Sequence, residues 1–260
     1  MNAGYLLLCL FIPVALLSHY LGGPALLTFL ASALGIVPMA MLMGWATEEL
    51  AHRADPRLSG FLNGTLGNAA ELMISFFAIR VGLLELVKAS ITGSILGNLL
   101  LVMGASLLVG GLRHGIQRFD RTQAGLNATM LILAVIALGI PSLFSYAIEA
   151  RSHAAVEYLS LGVAGTMLLV YILSQVFVFR NGEPRHGPAP QTGRAWPLRK
   201  TVGGLALSTA VIAWLSEVLV GAVEPVLVSL GWTEFFIGME GVQLLVVYGI
   251  LALAFYFLPM

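Results

Sequence analysis

The stretch Gly67-Asn68-Ala69-Ala70-Glu71-Leu72-Met73-Ile74-Ser75 sets a carboxylate and a carboxamide inside an apolar run. Shortly after, Ser90-Ile91-Thr92-Gly93-Ser94-Ile95-Leu96-Gly97-Asn98 repeats the pattern, small and polar within apolar sequence. Both stretches are expected at mid-bilayer depth. An ionised carboxylate there is costly unless a cation or a hydrogen-bond network meets it. Neither stretch contains a Lys or Arg to pair with Glu71.

On a helix, Asn68 at i−3 and Ser75 at i+4 share a face with Glu71. Ser90, Ser94 and Asn98 follow one another at i, i+4 and i+8 on the second helix. Both faces offer oxygen ligands and amides, the donor set that hard cations such as Ca²⁺ prefer. Gly67, Gly93 and Gly97 allow close helix approach. They also allow a helix to loosen and turn backbone carbonyls toward an ion, with Gly67 and Gly93 the carbonyl candidates. Ser90 and Ser94 alone read equally as glue between helices. Glu71 with Asn68 and Asn98 reads as function, because intramembrane carboxylates are functional by default.

The whole chain fits a membrane setting. Of its 260 residues, 58% are hydrophobic and 10% charged, against about 25% charged in soluble domains. Its net charge of zero gives no footing for nucleic acid. The single cysteine, Cys9, excludes an intrachain disulfide framework and a Cys-rich metal site. The five histidines fall in or beside loops. No Ser/His, Glu-x-x-His or Cys/His constellation lies inside a span, so an enzyme is not expected and no cofactor is implied.

Apolar runs long enough to cross a bilayer cover about 4–19, 24–45, 60–80, 88–110, 126–146, 157–179, 203–223 and 235–258. They show no strand alternation, so the expected fold is all-α: a polytopic membrane protein of about eight transmembrane helices. The N-terminus lacks a basic signal-peptide region, and the first run is read as a retained span. Three segments follow: 1–180 with six spans, a Pro-, Gly- and charge-rich linker over 181–200, and 201–260 with two spans. Arg53, Arg57, Arg113, Arg118, Arg121, Arg180, Arg185, Arg194, Arg199 and Lys200 fall on one side. Only Arg80, Lys88 and Arg151 fall on the other. The positive-inside rule makes the richer side cytoplasmic, and the N-terminus with it.

Spans two and seven are related. Trp45-Ala46-Thr47-Glu48-Glu49-Leu50 lines up with Trp214-Leu215-Ser216-Glu217-Val218-Leu219, and Asp55-Pro56 with Glu224-Pro225. The two spans run in opposite directions, so the relation is an inverted-topology repeat, a common build of secondary transporters. The first copy leads into Gly67–Glu71. The second leads through Phe235-Phe236-Ile237-Gly238 to Met239-Glu240-Gly241 and an apolar run, with no second Gly-Asn-Ala-Ala-Glu.

Gly67–Glu71 followed by Ala89–Gly104 strongly resembles the first signature of the calcium/proton exchangers, within the calcium:cation antiporter superfamily. The resemblance implies an antiporter in the cell membrane that exports Ca²⁺ from the cytoplasm against protons. It implies that Glu71 binds cation and proton alternately, and that Asn68, Ser94 and Asn98 line the same site. It also implies that Glu48 and Glu217 flank the ion path on its cytoplasmic side. The partners are then Ca²⁺ or a similar cation, protons and the lipid bilayer, with self-association open. Family members carry about eleven spans and a second signature with a second glutamate. Here the sequence passes from the approach to that signature straight into what resembles the family's last span. The expectation is an incomplete inverted-repeat cation exchanger fold with a poorly packed final helix. The alternative function is a non-transporting remnant that binds cation weakly or associates with an intact homologue.

Overall fold

A computed structural model of the chain describes residues 3–54, 56–116, 121–148, 153–181, 196–234 and 237. Among these the secondary structure is helical, with no strand. The elements are α1 (Ala3–Cys9), α2 (Phe11–Tyr20), α3 (Ala25–Arg53), α4 (Pro56–Leu66), α5 (Ala69–Arg80) and α6 (Leu84–Leu96). A π-helical turn, Gly97–Val102, joins α6 to α7 (Met103–His114); α8 (Arg121–Ile148), α9 (His153–Asn181) and α10 (Leu198–Leu230) follow. Four stretches are long and apolar enough to cross a membrane: Ala25–Arg53, Leu84–His114, Glu157–Phe177 and Leu198–Leu230. They correspond to the second, fourth, sixth and seventh expected spans. The first expected span is interrupted at Leu10 between α1 and α2, and the third breaks at Gly67–Asn68. The eighth, apart from Ile237, lies outside the described residues, as do the linker 182–195 and the apolar run after Gly238.

The chain divides into two compact units. Residues 113–185 form one, in which α8 packs on α9. The other holds the described residues up to 112 together with 196–234 and 237, and its centre is the pairing of α3 with α10. Pro24, with φ −56° and ψ 133°, starts α3, and extended Ala54 ends it. Two hydroxyls in the first half of α3 are satisfied within the apolar surroundings: Thr28 Oγ1 donates to Pro24 O, and Ser32 Oγ to Thr28 O. At the far end of α10, Gly231 takes a left-handed conformation (φ 65°) and Trp232 N–H donates to Leu227 O. This is the αL termination that glycine permits.

The seam between α3 and α10 is antiparallel. A methyl group at Gly35 would touch Leu215 at 3.4 Å, and one at Gly204 would touch Ala46 at 3.6 Å. Met43 and Ile212 share a buried cluster between these levels. Gly35 and Gly204, Ala46 and Leu215, and Met43 and Ile212 are all separated by the same number of positions as Trp45 and Trp214. The Gly35–Leu215 contact therefore becomes the Gly204–Ala46 contact when the two helices are exchanged, while Met43–Ile212 maps onto itself. That exchange is what a local two-fold axis between α3 and α10 gives. The inverted relation between the two helices is thus visible in how they pack.

Thr47 and Ser216 occupy equivalent positions across this axis. Both are buried, and neither Thr47 Oγ1 nor Ser216 Oγ has a hydrogen-bond partner among the described residues. An unmet buried hydroxyl costs about 1–3 kcal/mol. Thr47→Val keeps the side-chain shape without the hydroxyl, and Ser216→Ala removes it. Each variant is expected to unfold in detergent at or a few degrees above the wild-type temperature. A clear drop would mean that the hydroxyls serve a bound water.

Candidate functional site

The helix break at Gly67–Asn68 places Glu71 in the first turn of α5. A helix N-terminus carries partial positive charge, so it favours a carboxylate. The break leaves α4 carbonyls without their ladder partners. Asn68, the α5 N-cap residue with φ −103° and ψ 11°, meets one of them: its Nδ2 donates to Gly64 O at 3.1 Å. Discontinuous helices of this kind are how transporters expose polar backbone at depth.

The depth of the break follows from its packing. Ala69, Ala70 and Met73 pack against Met39, Met43 and Ile212. Met39 is the midpoint of the 29-residue α3. The start of α5, and Glu71 with it, therefore lies level with the middle of a helix long enough to span a membrane.

Glu71 faces α6. Ser94 Oγ donates to Glu71 Oε1 at 2.9 Å, and Asn98 Nδ2 donates to Ser94 Oγ at 3.5 Å. Asn98 lies in the π-helical turn, whose start at Gly97 loosens the α6 ladder. Insertions of this kind re-aim side chains and recur at functional sites. Asn68, Glu71, Ser75, Ser90, Ser94 and Asn98 line one groove of about 560 Å³ between α5 and α6. Its walls are apolar, formed by Leu72, Phe76 and Ile91 among others. Both polar faces read from the sequence thus meet in one place. Ser75 and Ser90 belong to it as fully as Ser94.

Two expectations require correction. Gly93 was expected to turn its carbonyl toward an ion. Instead Gly93 lies buried in regular α-helix, and its carbonyl accepts the N–H of Gly97. The loosening falls one turn later, at Gly97, and at Gly67 on the other helix. Glu48 and Glu217 were expected to flank the same, cytoplasmic side. The antiparallel seam separates them. Glu48 lies two residues past Ala46, which faces Gly204; Glu217 lies two past Leu215, which faces Gly35. At 1.5 Å rise per residue they differ in depth by roughly 20 Å. Equivalent residues of antiparallel helices fall on opposite sides of the axis. Both are exposed, and Glu48 lies 3.9 Å from His52.

Among the described residues no cluster of three His, Cys, Asp or Glu side chains forms. The groove therefore presents one carboxylate, hydroxyls and amides.

Residues 24–180 match the family model described as sodium/calcium exchanger protein. The chain is 39% identical over 254 residues to a Ca²⁺/H⁺ antiporter of Synechocystis sp., covering 90% of this chain and 68% of that protein. It is 38% identical over 242 residues to the Ca²⁺/H⁺ antiporter ChaA of Bacillus subtilis, with 90% and 68% covered. The solved structure of native YfkE superposes with a TM-score of 0.75 at 34% identity, over 90% of this chain and 66% of that one. The chain spans about two thirds of the length of these relatives. The fold, a multi-pass bundle with a broken helix carrying Glu71, and these matches agree: the chain belongs to the sodium/calcium exchanger protein family.

Proposed function

We propose that this chain is a calcium/proton antiporter-type transport protein, exporting Ca²⁺ from the cytoplasm in exchange for protons. Its place on this reading is the cell membrane, with the N-terminus cytoplasmic. The observation that carries it is the Ser94–Glu71 hydrogen bond joining α5 to α6 at mid-helix depth. No covalent bond is made or broken. A proton and a Ca²⁺ ion need the same Glu71 oxygens, so binding one displaces the other, and that competition couples the fluxes. The residues around Glu71 suit the exchange. With the site deprotonated, the Ser94 hydroxyl donates to the carboxylate. When a cation arrives, the hydroxyl rotates and presents a lone pair instead. Turning the Asn98 carboxamide likewise exchanges its NH₂ for its oxygen. The groove thus converts from donor to acceptor without moving a helix.

The test is ⁴⁵Ca²⁺ uptake into everted vesicles carrying the chain and made acidic inside. Uptake that collapses when the pH gradient is dissipated is the expected result. Uptake no greater than in empty vesicles overturns exchange. Specific Ca²⁺ binding retained without uptake would assign the chain to the non-transporting alternative. That alternative has its own footing, since among the described residues Glu71 is the sole carboxylate lining the groove.

Ser94→Ala removes a hydrogen bond to a charged group, a class contributing about 1.5–3 kcal/mol, and with it an oxygen that the cation would use. The half-saturating Ca²⁺ concentration is expected to rise about tenfold, and Ca²⁺ titrations of both proteins check this.

A further inference from the structure

The first turn of α6 is held by a residue from far along the chain. The N-cap residue, Leu83, makes no side-chain cap, and Glu85 pairs with Lys88 at 2.7 Å. The Leu86 N–H, one of the donors a helix start leaves open, instead donates to Glu234 Oε2 at 3.2 Å. Glu234 is partly buried and lies just beyond the end of α10. The surroundings fix its reach. Leu86 packs with Val220 and Val223 in a buried cluster, and Leu83, Val87, Leu227 and Ile237 pack against it. The bond therefore sits where α6 meets α10, two turns before Ser94 on the same helix.

We propose that Glu234 is a positioning residue for the Glu71 groove. Its carboxylate caps α6 from outside the helix and holds Ser94 within hydrogen-bond reach of Glu71. The proposal rests on the reading of Glu71 as the cation-binding carboxylate. A cap supplied by another part of the fold ties helix position to that part, which a local Ser or Asp cap would not do. α5 is packed against the α3–α10 seam through Ala70 and Ile74. With Glu234 in place, both walls of the groove are referenced to α10.

The test uses the purified full-length chain and needs no transport. Amide exchange at Leu86 reads the cap. Modification of Glu71 by dicyclohexylcarbodiimide, which takes carboxyls in apolar surroundings, reads the Ser94 hydrogen bond. Glu234→Ala is expected to speed exchange at Leu86 about tenfold, the scale of a lost hydrogen bond to a charged group. It is also expected to raise labelling of Glu71 as far as Ser94→Ala does. Glu234→Gln, which keeps an acceptor oxygen, should stay near wild type in both. Should Glu234→Ala fail to fold, Glu234→Ser, too short to reach Leu86, takes its place. Wild-type values in the alanine variant overturn the proposal. So do faster exchange with unchanged labelling, since the cap would then stop short of Ser94, and equal losses in the glutamine and alanine variants. Absent exchange activity with these effects intact would sink the transport reading alone.

Discussion

Glu71→Gln is expected to abolish pH-driven Ca²⁺ uptake, with a loss of at least about a hundredfold. Glutamine keeps the size of the side chain and still accepts from Ser94 Oγ, so the α5–α6 contact survives. What it loses is the charge. Drawing a dehydrated divalent cation to mid-bilayer depth relies on fixed negative charge, because amide and hydroxyl oxygens offset little of its hydration. Truncating one partner of a desolvated charged pair typically costs 2–5 kcal/mol, and the upper half of that range is about a hundredfold or more. The variant also cannot exchange a proton, so coupling is lost with binding. Glu71→Asp is the informative companion. It keeps the charge but shortens the reach to Ser94, and should retain transport with weakened Ca²⁺ affinity. Uptake by Glu71→Gln within a few-fold of wild type would remove Glu71 from the mechanism.

How much of this was legible in the sequence depends on the range of the interaction. The two polar faces were readable because charged and amide groups within apolar runs carry a large energetic cost, and helical periodicity says which of them share a side. Glu71, Ser94 and Asn98 accordingly meet in one groove. The break at Gly67 was less legible, since glycine serves both tight packing and unwinding. Here Gly67 and Gly97 loosen the helix, whereas Gly93 is buried within it. The depths of Glu48 and Glu217 were misread because matching sequence does not mean matching depth once a repeat is inverted. The length of α10 was underestimated at Glu224-Pro225. Pro225 lies inside the helix with its run continuing to Leu230. Glu234 had no local signal at all: its partner is Leu86, and only the folded chain brings the two together.

The second large effect is expected at the α3–α10 seam. In lipid, apolar side chains gain little by burial against one another, so helices associate by close packing around small residues. Gly204 is such a residue. A methyl group there would meet the Trp196 ring at 3.5 Å and Ala46 at 3.6 Å, both ordinary contacts. Gly204→Ala should therefore be tolerated, and it gains up to about 1 kcal/mol from the lower backbone freedom of the unfolded chain. Gly204→Leu brings its further carbons against Trp196, Ala46 and Leu42. Overpacking of this kind costs about 1–3 kcal/mol. Gly35, its equivalent across the local axis, is tighter, with Leu215 and Ile12 both at 3.4 Å from an added methyl group. Gly35→Leu should cost at least as much. The two glycines lie toward opposite ends of the seam, so their costs should add. The double leucine variant is then about 2–6 kcal/mol less stable, a drop of roughly 4–24 °C in unfolding temperature at about 2–4 °C per kcal/mol for chains of this size class. The same substitutions probe function differently from Glu71→Gln. Widening the seam moves α10, and with it both the α5 packing and the Glu234 cap, so Ca²⁺ affinity should fall in step with stability. If the leucine variants unfold at wild-type temperature, the α3–α10 contact is not where the bundle is held together, and the local two-fold axis loses its energetic meaning.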